Sequence, residues 1–528
     1  MGNIKVLDVT LRDGGCVNDF NFGQLYMNKI LEAQEAAGID IIELGYLDEK
    51  NGSLQNRTKF VNEKCIYESF LKTKVSGISY VAMMDYDKYN PEHLEERNES
   101  GLDGIRLAFH KKDYKCAIEL GKKILSKGYD LYIQPMITLR YSDKELLDLI
   151  ECVNAELPET KAFYIVDSFG EMRMNDVVRI WNILDHNINP NMTIGFHSHN
   201  NLQLSYANAM ELLSLADNRN IILDSSIMGM GKGAGNLNTE LLLEHLNLYK
   251  NKKYKIEPLL AVIDKVINQL HAEWRWGYAP EYYLSATNHC TPSYASYFYN
   301  KHMLPIDFVN ELLGRISEEK KISFDAKYAE DLYKEFNSEK VVDDTDSVRQ
   351  IKSEIENFEI LLVAPGKTLI GNSDLLKKFD AKENVKVLCL NMCTETKPAY
   401  VITTREDIYQ KMQETDNNII VTSNICKGGR GNVHVLNYSN WIADDGKVRD
   451  ASSVIALNLL KNCGVKKVYL AGFDGFSVDI NSNYYDPYLR HQLTEKQVSE
   501  YNDFHRNLIK TCREEGMEIE FATPSKYE

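Results

Sequence analysis

From residue 4 to about residue 230, short β-branched or aromatic runs alternate with longer stretches whose apolar residues recur at intervals near 3.6. The short runs are Val6 to Asp13, Ile39 to Leu47, Ile78 to Asp85, Gly104 to His110, Leu131 to Thr138, Ala162 to Ser168, Met192 to His199 and Ile221 to Ile227. Between them, segments such as Gln24 to Ala37 and Lys115 to Lys127 carry helix formers. Eight strand and helix repeats in about 240 residues predict a (β/α)8 barrel, because an open doubly wound sheet rarely needs so many regular units. Residues 255 to 340 read as helices, with Leu259 to Leu270 strongly periodic. The polar, acidic stretch Ser338 to Ser347 reads as a linker, and beyond it a second α/β pattern begins. Its strand candidates are Glu359 to Val363, Val385 to Leu390, Ala399 to Thr403, Ile419 to Thr422, Lys467 to Ala471 and Glu518 to Phe521, which suggests a smaller open parallel sheet of Rossmann type. The expected organisation is therefore a barrel over 1–254, a helical extension over 255–340 and a Rossmann-like domain over 341–528.

Composition narrows the partners. The 528 residues include 77 acidic and 61 basic side chains, a net charge of −16, so nonspecific attraction to nucleic acid or anionic membrane is not expected. Small molecules fit better. Ten cysteines lie scattered without a C-x-x-C pair, and no apolar run approaches a membrane span of about 18 residues. The expectation is a cytoplasmic protein with reduced thiols.

In a barrel the chemistry gathers at the C-terminal ends of the strands, and these ends are polar. The first strand run finishes Thr10-Leu11-Arg12-Asp13-Gly14-Gly15, the second carries Glu43, the fourth Arg106 and His110, and the sixth Asp167 and Ser168. The seventh ends Gly195-Phe196-His197-Ser198-His199-Asn200-Asn201. Side chains two apart on a strand share a face, so His197 and His199 can grip one cation. After the eighth run comes the glycine loop from Gly229 to Asn236. Barrel closure sets strand eight beside strands one and seven, which makes Asp13, His197, His199 and Asn236 converge. A carboxylate, two imidazoles and an amide oxygen suit Mn, Mg, Co or Zn with positions left open for substrate, and the lack of a thiolate argues against a closed structural zinc site. Arg12 puts a fixed positive charge beside the metal, where it suits an enolate or carboxylate, with Glu43 as its partner. Asp167 reads equally well as a helix cap.

Thr10-Leu11-Arg12-Asp13-Gly14, His197-x-His199 and the Gly229 to Asn236 loop resemble the three hallmark motifs of the DRE-TIM metallolyases, over about residues 4 to 245. The glycine loop and His199-Asn200-Asn201-Leu202 are most similar to the 4-hydroxy-2-oxovalerate aldolase branch. The resemblance implies Asp13, His197 and His199 as metal ligands, Asn236 as a further one, Arg12 as the stabiliser of a pyruvate enolate and Ser168 near the substrate carboxylate. It also implies an oligomer, and a tyrosine of the helical extension, matched here to Tyr283, reaching the site. The chemistry implied is reversible carbon–carbon cleavage next to a 2-oxo acid, with manganese or magnesium as the foremost metals. One position departs. Where those aldolases carry a histidine as base, this chain has Cys16, whose thiol acts as one only if the metal or Arg12 lowers its pKa. His110, His289 and the extension tyrosines are the other candidates.

In the C-terminal part, Gly366-Lys367-Thr368 fails as a P-loop because Leu361 stands where the earlier glycine is required. Fragments around Ser452 to Asn458 and Lys467 to Gly475 resemble the sialyltransferase-like and MptE-like fold group, which implies a nucleotide or nucleotide sugar there and a sugar-derived aldehyde as the second substrate. The alternatives are an acetyl-CoA-dependent Claisen synthase of the same superfamily and a non-catalytic ligand-binding module. A retired site has no physical need for Asp13, His197 and His199 together.

Overall fold

A computed structural model describes residues 2–528 except 54, 72–73, 100, 217, 302–303, 305, 371, 393–396, 427–430, 444–447, 487–488 and 490–492. The chain divides into two compact units, Met1–Ser296 with Leu313–Phe324, and Tyr297–Leu312 with Asp325–Glu528.

In the first unit eight parallel strands close a barrel: β1 Ile4–Asp8, β2 Ile41–Leu47, β3 Ser79–Asp85, β4 Gly104–Phe109, β5 Asp130–Pro135, β6 Ala162–Asp167, β7 Thr193–Ser198 and β8 Ile221–Ser225. Closure runs through β1, which pairs with β8 from Ile4↔Ile221 to Asp8↔Ser225 and with β2 at Leu7↔Ile41 and Asp8↔Ile42. Period two divides each strand between two cores. Val6, Ile42 and Phe163 pack outward against the helices, whereas Leu7, Ile41, Tyr132 and Tyr164 fill the barrel interior. Helix ends follow the local chemistry: the helix Gln24–Ala37 stops at Gly38, whose φ of 79° is costly for a side chain with a Cβ, and Asp143–Glu156 starts in a capping box of Ser142 and Glu145. Among the described residues no helix is long and apolar enough to cross a membrane.

The first strand is shorter than its apolar run suggests. It ends at Asp8, and the amides of Arg12 and Asp13 both donate to the Val9 carbonyl at 3.0 and 2.8 Å, which folds Thr10 to Asp13 into a tight turn. Thr10 fixes that turn to the end of β8 by accepting from the Ile227 amide at 2.8 Å. Consecutive strand residues face opposite sides; in a turn, Arg12 and Asp13 can both serve the barrel mouth.

The second unit holds a seven-stranded parallel sheet: β9 Glu359–Val363, β10 Val385–Leu390, β11 Tyr400–Thr403, β12 Ile419–Thr422, β13 Val433–Leu436, β14 Lys467–Ala471 and β15 Glu518–Phe521. Their order is β13-β12-β11-β10-β9-β14-β15. Both faces are covered, Ile360 and Leu362 belonging to one core and Leu361 and Val363 to the other, as a parallel sheet requires. The sequence reading overlooked β13. Its four residues, with a histidine among them and burial alternating between partial and full, form an edge strand too short and mixed to stand out.

Candidate metal centre at the mouth of the barrel

Three strand ends meet at the top of the barrel. Asp13 comes from the turn after β1, His197 from β7, and His199 from just beyond it, where it forms an isolated bridge with Asn236. One ligand atom from each of Asp13, His197 and His199 lies within 4.8 Å of the others, and all three residues are buried. The Nε2 atoms of His197 and His199 stand 3.7 and 3.5 Å from Asp13 Oδ2. The imidazoles are 5.2 Å apart and nearly perpendicular.

Second partners settle the tautomers. His197 Nδ1 donates to Asp224 Oδ2 at 2.9 Å, and His199 Nδ1 donates to the Lys232 carbonyl at 3.2 Å. Both Nε2 lone pairs therefore face Asp13 Oδ2, a buried oxygen without a hydrogen-bond partner. Nearby, Asn236 donates its amide nitrogen to the Met230 carbonyl at 3.1 Å and leaves Oδ1 buried and unpartnered. Asp13 Oδ1 takes the Arg12 guanidinium at 3.3 Å and the Cys16 thiol at 3.7 Å, whereas Asp13 Oδ2 and Asn236 Oδ1 stay buried without a donor beside the two Nε2 lone pairs, which fits a cation.

The glycine loop holds this arrangement by close approach. A Cβ on Gly231 would stand 2.2 Å from the Asn236 amide nitrogen and 3.3 Å from Asp13 Oδ2. Asn201 buttresses the loop, accepting from the Ala234 amide at 2.8 Å and donating to the Phe169 carbonyl at 2.9 Å. Beneath runs a chain of buried charge. Arg12 Nε donates to Glu43 Oε2 at 2.7 Å, Arg106 donates to the same oxygen at 2.8 Å, and the other arm of Arg106 reaches Asp224, which holds His197. Arg12 NH2 is buried without a partner.

Protonation follows from this charge. Burial by itself would raise the Asp13 carboxyl, but His199, Arg12 and His197 outweigh it and hold the group well below the usual carboxylate range. Burial pushes His199 down to about 4 against the pull of Asp13, so its ring is neutral at neutral pH. An ionised carboxylate and a neutral imidazole are the states a metal takes. Cys16 is exposed at the mouth; partial loss of solvent, then the Asp13 carboxylate, push its thiol up to about 12, and Sγ donates to Asp13 Oδ1 at 3.7 Å.

Glu43 lies fully buried between two guanidinium groups. Ser168 is half-buried after β6 and accepts from the Ile137 amide at 3.0 Å. Asp167 accepts from the Glu171 and Met172 amides at 2.9 and 3.1 Å; burial pushes its carboxyl up to about 8 against those bonds, with the Glu171 charge adding to the rise. Tyr283 sits 45% exposed on the helix Pro280–Thr287, and no hydrogen bond joins its side chain to the Asp13 cluster. His289 pairs through Nδ1 with Glu171 at 2.6 Å. The sequence reading gave no role to Asp224 or Lys232. An acid directly after the apolar run Ile221-Ile222-Leu223 was the available signal for Asp224.

The HMGL-like family model matches residues 110–266. Similar proteins include the 4-hydroxy-2-oxovalerate aldolase of Geobacillus genomosp. 3, 30% identical over 255 residues that cover 46% of this chain and 70% of that protein. The protein of that name from Pseudoalteromonas translucida is 26% identical over 291 residues, 53% of this chain and 82% of the relative. Among solved structures, the N-terminal domain of a proposed aldolase from Bacteroides vulgatus is 25% identical with a TM-score of 0.50, covering 57% of this chain and 99% of that domain.

Proposed function

This chain belongs to the HMGL-like family, and from that premise we propose that its barrel is a divalent-metal-dependent carbon–carbon lyase or condensing enzyme acting on pyruvate or a related 2-oxo acid. The observation that carries the reading is the convergence of Asp13 Oδ2, buried without a hydrogen-bond partner, with two Nε2 lone pairs. Asp13, His197 and His199 would hold the ion, with Asn236 Oδ1 beside them, and an oxygen and nitrogen donor set suits manganese or magnesium. The ion would supply Lewis acidity to a ketone and carboxylate.

The remaining work belongs to side chains. Arg12 is fixed by Glu43, stays cationic, and has one buried NH2 group to donate to an oxygen on which negative charge develops as the carbon–carbon bond breaks. Its orientation is set before substrate arrives, so no reorganisation is needed during reaction. Asp224 holds His197 in the tautomer that turns Nε2 toward the site, and Ser168 on the neighbouring strand end stands as the candidate for the substrate carboxylate.

The test is exchange of the pyruvate C3 protons in deuterated water, followed by NMR, with Mn or Mg added and EDTA as control. Exchange reports removal of a C3 proton without requiring the aldehyde to be known. Metal-dependent exchange that disappears in Asp13→Ala supports the reading. Protons that stay in place while the metal is demonstrably bound would show pyruvate to be the wrong nucleophile.

A further inference from the structure

The strand order of the second unit reverses at β9, with β10 to β13 on one side and β14 and β15 on the other. Open parallel sheets bind ligands in the crevice beyond the carboxyl ends of the strands at such a point. A cavity of about 200 Å³ lies there, reached by Gly366 after β9 and Gly472 after β14.

Its chemistry is one-sided. Asp450 accepts the hydroxyls of Tyr333 and Tyr438 on Oδ2, which leaves Oδ1 without a partner among the described residues. Asn424 donates to Asn337 at 2.8 Å, and its own Oδ1 is buried and unsatisfied. His505 Nδ1 donates to the Tyr501 carbonyl at 2.8 Å, so Nε2 accepts the Ser453 hydroxyl at 2.9 Å and the Ser453 oxygen keeps its lone pairs. All of these residues line the cavity. These acceptors call for a ligand that donates hydroxyls.

Charge points the same way. Among the described residues the charged side chains in the lining are Arg405, whose guanidinium pairs with Asp407 at 2.7 Å, and the carboxylates of Glu406, Asp450 and Asp474. These three carboxylates disfavour a multiply charged phosphate beside them. The rings of Phe473, Phe476, Tyr484, Tyr501 and Tyr527 are also part of it, and aromatic faces suit the apolar C–H face of a cyclic polyol. We propose that this cavity binds the hydroxylated ring of a sugar, free or as the ribose of a nucleoside, through Asp450, Asn424 and Ser453, independently of the barrel.

The full chain is titrated calorimetrically with glucose, galactose, N-acetylglucosamine, uridine, cytidine and adenosine, then with the nucleoside monophosphates and inorganic phosphate. At least one sugar or nucleoside is expected to bind, with tenfold or greater loss in both Asp450→Asn and Ser453→Met. Metal-dependent pyruvate exchange, measured on the same samples, is expected to stay unchanged, and circular dichroism confirms that each variant is folded. Binding by free sugars assigns the cavity to a monosaccharide, and binding by nucleosides alone assigns it to a ribose. The proposal is overturned if no sugar or nucleoside binds, if both folded variants bind as the parent does, or if inorganic phosphate competes and each added phosphate tightens binding.

Discussion

Asp224→Ala tests the chain of charge beneath the site. The Arg106 side chain is fully enclosed and shared between Glu43 and Asp224, so removing one carboxylate leaves a buried cation half paired. Breaking a buried pair in this way costs about 3–5 kcal/mol of stability. The same substitution removes the acceptor of His197 Nδ1–H, and loss of such a partner weakens metal binding about 10–100-fold, which is about 1.4–2.7 kcal/mol. The two effects can be separated. Asp224→Asn keeps an acceptor for His197 while discarding the charge, and Arg106→Met with Asp224→Leu replaces both partners by apolar groups, which for buried pairs is often close to neutral in stability. Urea unfolding reports the stability, and calorimetric titration of the metal-stripped protein with Mn2+ reports the affinity. The alanine variant should lose both, the asparagine variant mainly stability, and the double variant mainly affinity. A folded Asp224→Ala protein that binds Mn2+ within about threefold of the parent would refute the assigned role of Asp224.

Gly231→Ala should displace Asn236 and crowd Asp13, given the 2.2 and 3.3 Å approaches of the added Cβ; steady-state exchange should fall at least about tenfold while the barrel stays folded, because loss of metal-site support costs about 10–100-fold. Cys16→Ser should retain exchange within about threefold, since the Asp13 carboxylate beside the thiol favours its protonated form; a loss of 100-fold would give the thiol a direct part. His505 is buried with its pKa lowered from 6.5 by desolvation. The unfolded chain takes up the proton first as pH falls below 6.5, so the second unit should lose stability as the pH drops from there, visible as a falling denaturation midpoint that His505→Gln flattens.

Much of the first unit was legible in the sequence because closure of the barrel is a counting problem. Eight apolar runs at regular spacing leave few arrangements, and once β8 lies beside β1, Asp13 and the two histidines must approach one another. The glycine loop was also readable, since only residues without a Cβ tolerate the approach seen at Gly231. The parallel sheet of the second unit came through for the strands with long apolar runs and failed at β13, where an edge strand leaves little pattern to read.

Other features needed the tertiary structure. Arg12 and Asp13 close the run that reads as the first strand, and only the hydrogen bonds to Val9 show that the strand has already ended and the turn has freed both side chains for the mouth. Asp224 becomes meaningful once β8 and β7 are neighbours and its carboxylate meets His197 Nδ1. The state of Cys16 depends on the carboxylate beside it and on lost solvent, neither of which a residue type reports. The sequence by itself determined the periodicities, and so the barrel and the residues at its strand ends, because local patterning selects the elements and closure selects their neighbours. The tertiary structure alone decided which of those polar groups found partners and which acceptors were left without a donor, because pairing and desolvation depend on distances between segments far apart along the chain.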